Sequence, residues 1–196
     1  MIPIPDIISP YNDWSAYWED FITDEEFDFI LNNPAWNHLH PASVGGQEGM
    51  VAPHIRSAKC GSLEFSDDNL RFYTKLSQIF ARVNASFFQC DITSIVEPLQ
   101  FIRYDHNTED HYDWHTDMSP EDMWNPRKLA MVLMLSDTSD FEGGQLEIKT
   151  GADVTTLEQK KGRAWFFPSY ILHRVTPVTK GERKVAVMWV HGSQWK

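Results

Sequence analysis

The chain has 196 residues, 42% of them hydrophobic and 13% aromatic, with a formal net charge of −11 and a sequence pI near 5.1. That length supports one domain with an appendage and a substantial buried core, while the acidic balance opposes attraction to phosphate backbones and anionic membranes, so no nucleic-acid or membrane partner is expected. Only two cysteines occur, Cys60 and Cys90, without CxxC spacing; they give neither a disulfide framework nor a zinc-thiolate site and read as ordinary buried thiols.

The opening MIPIPDIISPYNDW lacks a basic segment followed by a continuous apolar one, and no uncharged apolar run approaches membrane-spanning length, so a soluble cytoplasmic protein is the expectation. Thr23-Asp24-Glu25-Glu26 reads as a capping box, with Phe27, Ile30 and Leu31 following at helical spacing until Asn32-Asn33-Pro34 stops a short surface helix. Residues 37–62 carry Pro41, Pro53 and Gly45-Gly46 without a sustained period, which predicts a long loop or irregular strands. Ser66 with Asp67 and Asp68 can cap a longer helix whose apolar stripe runs Leu70, Tyr73, Leu76, Phe80 and Val83 and ends near Asn84.

From about residue 93 the texture changes to short apolar or alternating runs separated by turn residues: 95–104, 112–117, 129–135, 145–149, 154–158, 163–167, 171–175 and 183–191. Gly143-Gly144 and Lys161-Gly162 punctuate them as turns. Eight such runs are enough for a double-sheet jelly roll. The expected fold is therefore mainly β with supporting helices, residues 1–94 forming a helical support region packed on a barrel made by residues 95–196.

The segment His111-Tyr-Asp-Trp-His-Thr-Asp117 contains two HxD pairs, His111/Asp113 and His115/Asp117. In an extended strand a histidine and an aspartate two apart share a face, so either pair can offer both side chains to one metal ion. Pattern alone does not choose; we take His115/Asp117 because Tyr112 and Trp114 can anchor the strand before it, whereas His111 abuts the charged stretch 105–110. A third ligand comes from His173, which ends an apolar run and, if buried, needs a polar partner. Two histidines and one carboxylate on one side of an octahedron leave the other positions free, as in non-haem Fe(II) oxygenases. Arg183 opens the apolar run 185–190, which directs its guanidinium into the barrel, where it needs an acidic partner. HExxH, a serine-hydrolase elbow and a phosphate-binding glycine loop are absent.

Over about residues 95–192 the chain resembles the Fe(II)- and 2-oxoglutarate-dependent dioxygenases, specifically the prolyl 4-hydroxylase-like or PKHD-type hydroxylases. The resemblance rests on Phe101-Ile-Arg-Tyr104, His115-x-Asp117, Phe141-Glu-Gly-Gly-Gln-Leu146, Phe167-Pro-Ser169, His173-Arg-Val-Thr-Pro-Val178, Gly181-Glu-Arg183 and Trp189, in that order. It implies a double-stranded β-helix, iron held by His115, Asp117 and His173, and 2-oxoglutarate whose distal carboxylate is clamped by Arg183 and bonded by Tyr104. Trp189 and Met134 resemble pocket-wall positions. It further implies O2 as co-substrate, hydroxylation of an unactivated C–H bond with release of succinate and CO2, and stimulation by ascorbate (vitamin C). Animal collagen prolyl hydroxylases carry lysine at the clamp; Arg183 matches the arginine variant, so a collagen-like substrate is not inherited.

Three rival readings share parts of this pattern. A nucleic-acid demethylase would carry the same triad, but the acidic balance and missing basic groove argue against it. A cupin-like metal-binding barrel would present HxH plus a glutamate. A barrel kept only as a binding module would not need the triad and clamp. The expected substrate is a peptide, an amino acid or a small molecule, read by loops such as 41–62 and 105–125, with Tyr112, Trp114 and Trp124 at an entrance.

Overall fold

The computed structural model of the protein describes residues 14–44, 50–118 and 126–194. Their strands form two antiparallel sheets. The larger runs β1 (Ala16–Trp18), β12 (Ala164–Pro168), β8 (Arg127–Met134), β14 (Val178–Gly192), β6 (Leu99–Asp105), β4 (Lys59–Leu63) and β2 (His40–Pro41), with β5 (Ile92–Ser94) and β9 (Phe141–Gly143) also paired to β14. The smaller runs β11 (Asp153–Leu157), β10 (Leu146–Thr150), β13 (Leu172–Val175), β7 (His111–His115) and β3 (Arg56–Ser57). This is the expected mainly β jelly roll, and all eight predicted runs appear as strands. The first five strands come from the front half of the chain and extend both sheets, which a reading of that half as helical support does not include. Four of these five strands have only two or three residues, too short to display a period.

Helix α1 (Asp24–Leu31) starts at the predicted capping box: Thr23 N donates to Glu26 Oε2 at 2.9 Å and Glu26 N to Thr23 Oγ1 at 3.3 Å. Helix α2 (Leu70–Val83) follows a short turn in which Asn69 Oδ1 accepts from Ser66 N. Its stripe differs from the expected one at the start. Leu70 is 61% exposed, and the buried face is Phe72, Tyr73, Leu76, Ile79, Phe80 and Val83.

That face lies on the large sheet, against Leu129, Met131 and Leu133 of β8 and Ala186, Met188 and Val190 of β14. The intervening residues, Ala130, Val132 and Met134 on β8 and Val185, Val187 and Trp189 on β14, belong to a second core between the sheets. Both strands are therefore covered on both faces, which is why they read as near-continuous apolar runs. The alternation also fixes the clamp candidate. Arg183 is in phase with Val185, Val187 and Trp189, so its side chain enters the space between the sheets. Cys60 is buried and Cys90 half-buried, and both are free thiols.

Candidate metal centre

The antiparallel pairing of β7 with β13 sets His115 directly opposite His173, at an irregularity in the register. Strand β7 ends at His115, so Asp117 lies past its end, where its backbone N donates to Ser169 O at 2.9 Å. The three side chains converge: Asp117 Oδ1 is 3.8 Å from His115 Nε2 and Oδ2 is 3.6 Å from His173 Nε2. One ligand atom from each lies within 4.8 Å of the others. His111 and Asp113 are not part of this cluster; His111 Nδ1 turns instead to Glu109 O at 3.0 Å.

Backbone carbonyls orient both imidazoles. His115 Nδ1 lies 2.8 Å from Asp113 O and His173 Nδ1 2.9 Å from Ile171 O. A carbonyl only accepts, so each Nδ1 carries the proton and each Nε2 lone pair faces Asp117, the tautomer a metal ligand needs. Burial, helped by the neighbouring His173, lowers the His115 pKa to about 3, so its ring is neutral at ordinary pH. Burial opposes the charge on Asp117, but the two imidazoles, Trp189 and Arg127 outweigh it and hold its carboxyl below the usual carboxylate range. The Trp189 indole N–H lies close enough to favour that charge yet falls short of hydrogen-bond geometry, and it has no partner.

A cavity of about 90 Å³ opens beside the triad, walled by apolar side chains such as Val132, Leu146, Val175 and Val187. Arg183 lines it and is fully buried, with no exposed surface. Its Nε donates to Gln159 Oε1 at 2.8 Å, its guanidinium carbon sits 5.2 Å from the Tyr104 ring centroid, and both terminal nitrogens, Nη1 and Nη2, have no partner. Burial without a counter-charge pulls its pKa down to about 10. Tyr104, its cross-strand neighbour, is also buried, which raises its phenol pKa.

The chain makes room for this guanidinium at Gly144. A Cβ there would come within 2.8 Å of Arg183 Cδ, at a backbone φ of +58°. The Gly143-Gly144 pair, read from sequence as a turn, thus has a second role.

The other sequence-predicted residues are placed as follows. Tyr104, Tyr112 and Trp189 line the cavity. Met134 does not; it lines a smaller hollow on the other side of Arg183, near Gln159. Trp114 packs under Arg174 and Lys149, away from the cavity, and Trp124 lies outside the described residues. Sequence reasoning missed Gln159, in a polar turn, and two further cavity arginines. Arg127 pairs with Glu97 through Nε and Nη2 and lies 3.8 Å over the Trp189 ring. Burial opposes the Glu97 charge, but Arg127 and His191 together bring its pKa to about 2. Arg56 lies 4.6 Å over the Tyr112 ring, which itself stacks on His115 at 3.4 Å. Arg56 sits in the aperiodic stretch 37–62, where no local signal marks it.

The sequence model of the 2OG-Fe(II) oxygenase superfamily matches residues 99–191, a span that contains the triad, Tyr104 and Arg183. Over that span, just under half of its length, the chain is similar to that superfamily. Among curated relatives, a PKHD-type hydroxylase of Alteromonas mediterranea is 44% identical over 62 residues, 32% of this chain and 27% of that protein. The PKHD-type hydroxylase YbiX of Escherichia coli O8 is 26% identical over 197 residues, 97% of this chain and 77% of that protein. Among solved structures, a Trichoplax adhaerens prolyl hydroxylase in complex with a hypoxia-inducible factor peptide fragment superposes with a TM-score of 0.74 at 15% identity, covering 92% of this chain and 84% of that one. That likeness implies Fe(II) and 2-oxoglutarate, and the residues present fit both: two oriented imidazoles with one carboxylate suit Fe(II), and the two orphaned nitrogens of Arg183 suit a carboxylate. No helix among the described residues is long and apolar enough to cross a membrane.

Proposed function

We propose that this chain is a 2OG-Fe(II) oxygenase that hydroxylates an unactivated C–H bond of a prolyl or other amino-acid residue. His115 Nε2, Asp117 and His173 Nε2 would hold Fe(II), the two imidazoles being oriented by the backbone carbonyls at their Nδ1 atoms. Arg183 takes the distal carboxylate of 2-oxoglutarate in a two-pronged hydrogen bond, with Tyr104 beside it. Bound Fe(II) supplies the activation of O2, coupled to conversion of 2-oxoglutarate to succinate and CO2, and ascorbate would keep it reduced. The residues around it do the rest: Trp189 and Arg127 keep Asp117 ionised, and the apolar walls keep water from the reacting groups.

A single observation carries this reading. A guanidinium with no exposed surface and two nitrogens without partners faces a cavity that also holds two histidines and an aspartate within 4.8 Å of one another. Burying a charge in that state is costly, and an anionic ligand reverses the cost. A prolyl or other residue of a peptide is supported by the prolyl hydroxylase whose structure holds a peptide fragment. In this reading the catalytic side chains come from residues 95–196, the strands before residue 95 complete the two sheets that hold them, and the enzyme works in the cytoplasm.

The test is direct. Protein loaded anaerobically with Fe(II) and 2-oxoglutarate is exposed to O2 and succinate is measured. Iron-dependent succinate, raised by candidate proline-containing peptides, is expected; its absence under every condition would favour a binding module or a non-oxygenase barrel.

A further inference from the structure

The cavity is more positive than its assigned tasks require. Its charged lining consists of Arg56, Arg127 and Arg183 against the single carboxylate of Asp117, in a chain whose formal net charge is −11. The excess is local. Arg127 is neutralised by Glu97, and Arg183 serves the co-substrate in the reading above. Arg56 is left over.

Arg56 stands on β3, the edge strand of the small sheet, opposite Tyr112. Its Nη1 donates to Ser43 O at 2.9 Å, but its Nε is buried and has no partner. Among the described residues no carboxylate lies within ion-pair distance of it. Arg56 is half-buried, with its guanidinium carbon 4.6 Å from the Tyr112 ring centroid, and that ring is stacked on His115. A planar fork is thus held one aromatic layer from the metal cluster, on the sheet facing the one that carries Arg183. Stacking removes freedom that an arginine otherwise loses on binding, so the fork is prepared for a planar anion.

We propose that Arg56 binds a carboxylate of the primary substrate, so that the substrate of this oxygenase is a carboxylate-bearing amino-acid compound. The inference rests on the 2-oxoglutarate reading, because it assigns Arg183 to the co-substrate. The carboxylate could be a main-chain terminus or an aspartyl or glutamyl side chain, and both present the same two oxygens to the fork. A substrate lacking it leaves a buried N–H unpaired, and that sets the discrimination.

The experiment uses protein loaded with Mn(II), a redox-silent substitute, and 2-oxoglutarate, whose binding is measured first by calorimetry. Two probe sets covering the common side chains are then titrated: N-acetyl amino acids with a free carboxylate, and the same compounds as amides. Wild type is expected to bind at least one carboxylate probe about tenfold or more tightly than its uncharged counterpart, the amide for a terminal carboxylate and the asparaginyl or glutaminyl amide for a side-chain one, the scale of a charge-assisted hydrogen bond. In Arg56→Gln that ratio is expected to fall to about one, while Arg56→Lys retains part of it. Preference for acids generally identifies a terminal carboxylate; binding confined to aspartyl and glutamyl amides identifies a side-chain carboxylate. No preference for an acid over its amide among neutral side chains together with no preference for aspartyl or glutamyl amides over asparaginyl and glutaminyl ones, binding of no probe at all, or an Arg56→Gln effect on 2-oxoglutarate with the preference intact overturns the proposal. Failure of wild type to bind 2-oxoglutarate at all overturns the earlier reading instead.

Discussion

Replacing Arg183 with methionine is expected to make the metal-free protein more stable while removing its co-substrate. Burial brings the guanidinium pKa to about 10, which corresponds to roughly 3 kcal/mol lost by the charged form. Methionine keeps an unbranched stem in the space left open by Gly144 and removes that cost. The substitution strands Gln159 Oε1, which now accepts from Nε, at a cost of about 1–2 kcal/mol. The balance favours the variant by about 1–2 kcal/mol, or roughly 2–8 °C in the melting temperature of a chain this size. Binding moves the other way: two charge-assisted hydrogen bonds of about 1.5–3 kcal/mol each are lost, so 2-oxoglutarate affinity drops roughly a hundredfold or more. Thermal denaturation of the metal-free proteins and calorimetric titration of 2-oxoglutarate into the Mn(II) forms measure the two effects. A variant that melts several degrees lower and binds 2-oxoglutarate as wild type does would refute the reasoning.

Gly144→Ala places a methyl group 2.8 Å from both Arg183 Cδ and Val178 Cγ2 at a φ of +58°; it should cost about 1–3 kcal/mol and weaken 2-oxoglutarate binding, and unchanged binding would show that Arg183 needs no such room. His115→Ala and His173→Ala should lose bound iron, whereas His111→Ala should keep it, as equilibrium dialysis would show. Stability of the metal-free protein should fall with acidification. Free imidazole titrates near 6.5, but burial keeps His115 neutral until about 3, so between those values the unfolded chain binds the extra proton and stability rises with pH. Asp117, whose folded pKa is lowered, adds a loss in the same direction once pH falls below the ordinary carboxylate range. Denaturant titrations across this window should show that slope, and His115→Gln should flatten it.

The parts of this account legible in the sequence share a physical cause. Strands β8 and β14 are long and covered on both faces, so their apolar runs stand out, and the phase of Arg183 with Val185, Val187 and Trp189 follows from a period of two. The capping box at Thr23 was equally readable because it is a local exchange of two hydrogen bonds. What stayed hidden depends on contacts between distant segments. Arg56 lies 56 positions before its ring partner Tyr112 on a strand of two residues, and Gln159 meets Arg183 only because the turn after β11 folds against β14. The choice of His115/Asp117 over His111/Asp113 was open in the pattern; the register that sets His115 against His173 brings the former pair, and not the latter, into one cluster.

Anaerobic titration of 2-oxoglutarate into the Fe(II)-loaded protein, followed by visible charge-transfer absorption, tests the central claim most directly, because that band requires iron and the keto acid bound to each other. A band saturating at one 2-oxoglutarate per chain, absent in His173→Ala and needing far more ligand in Arg183→Met, is predicted. No band in the iron-loaded wild type, or one that forms equally well in His173→Ala, would contradict the account.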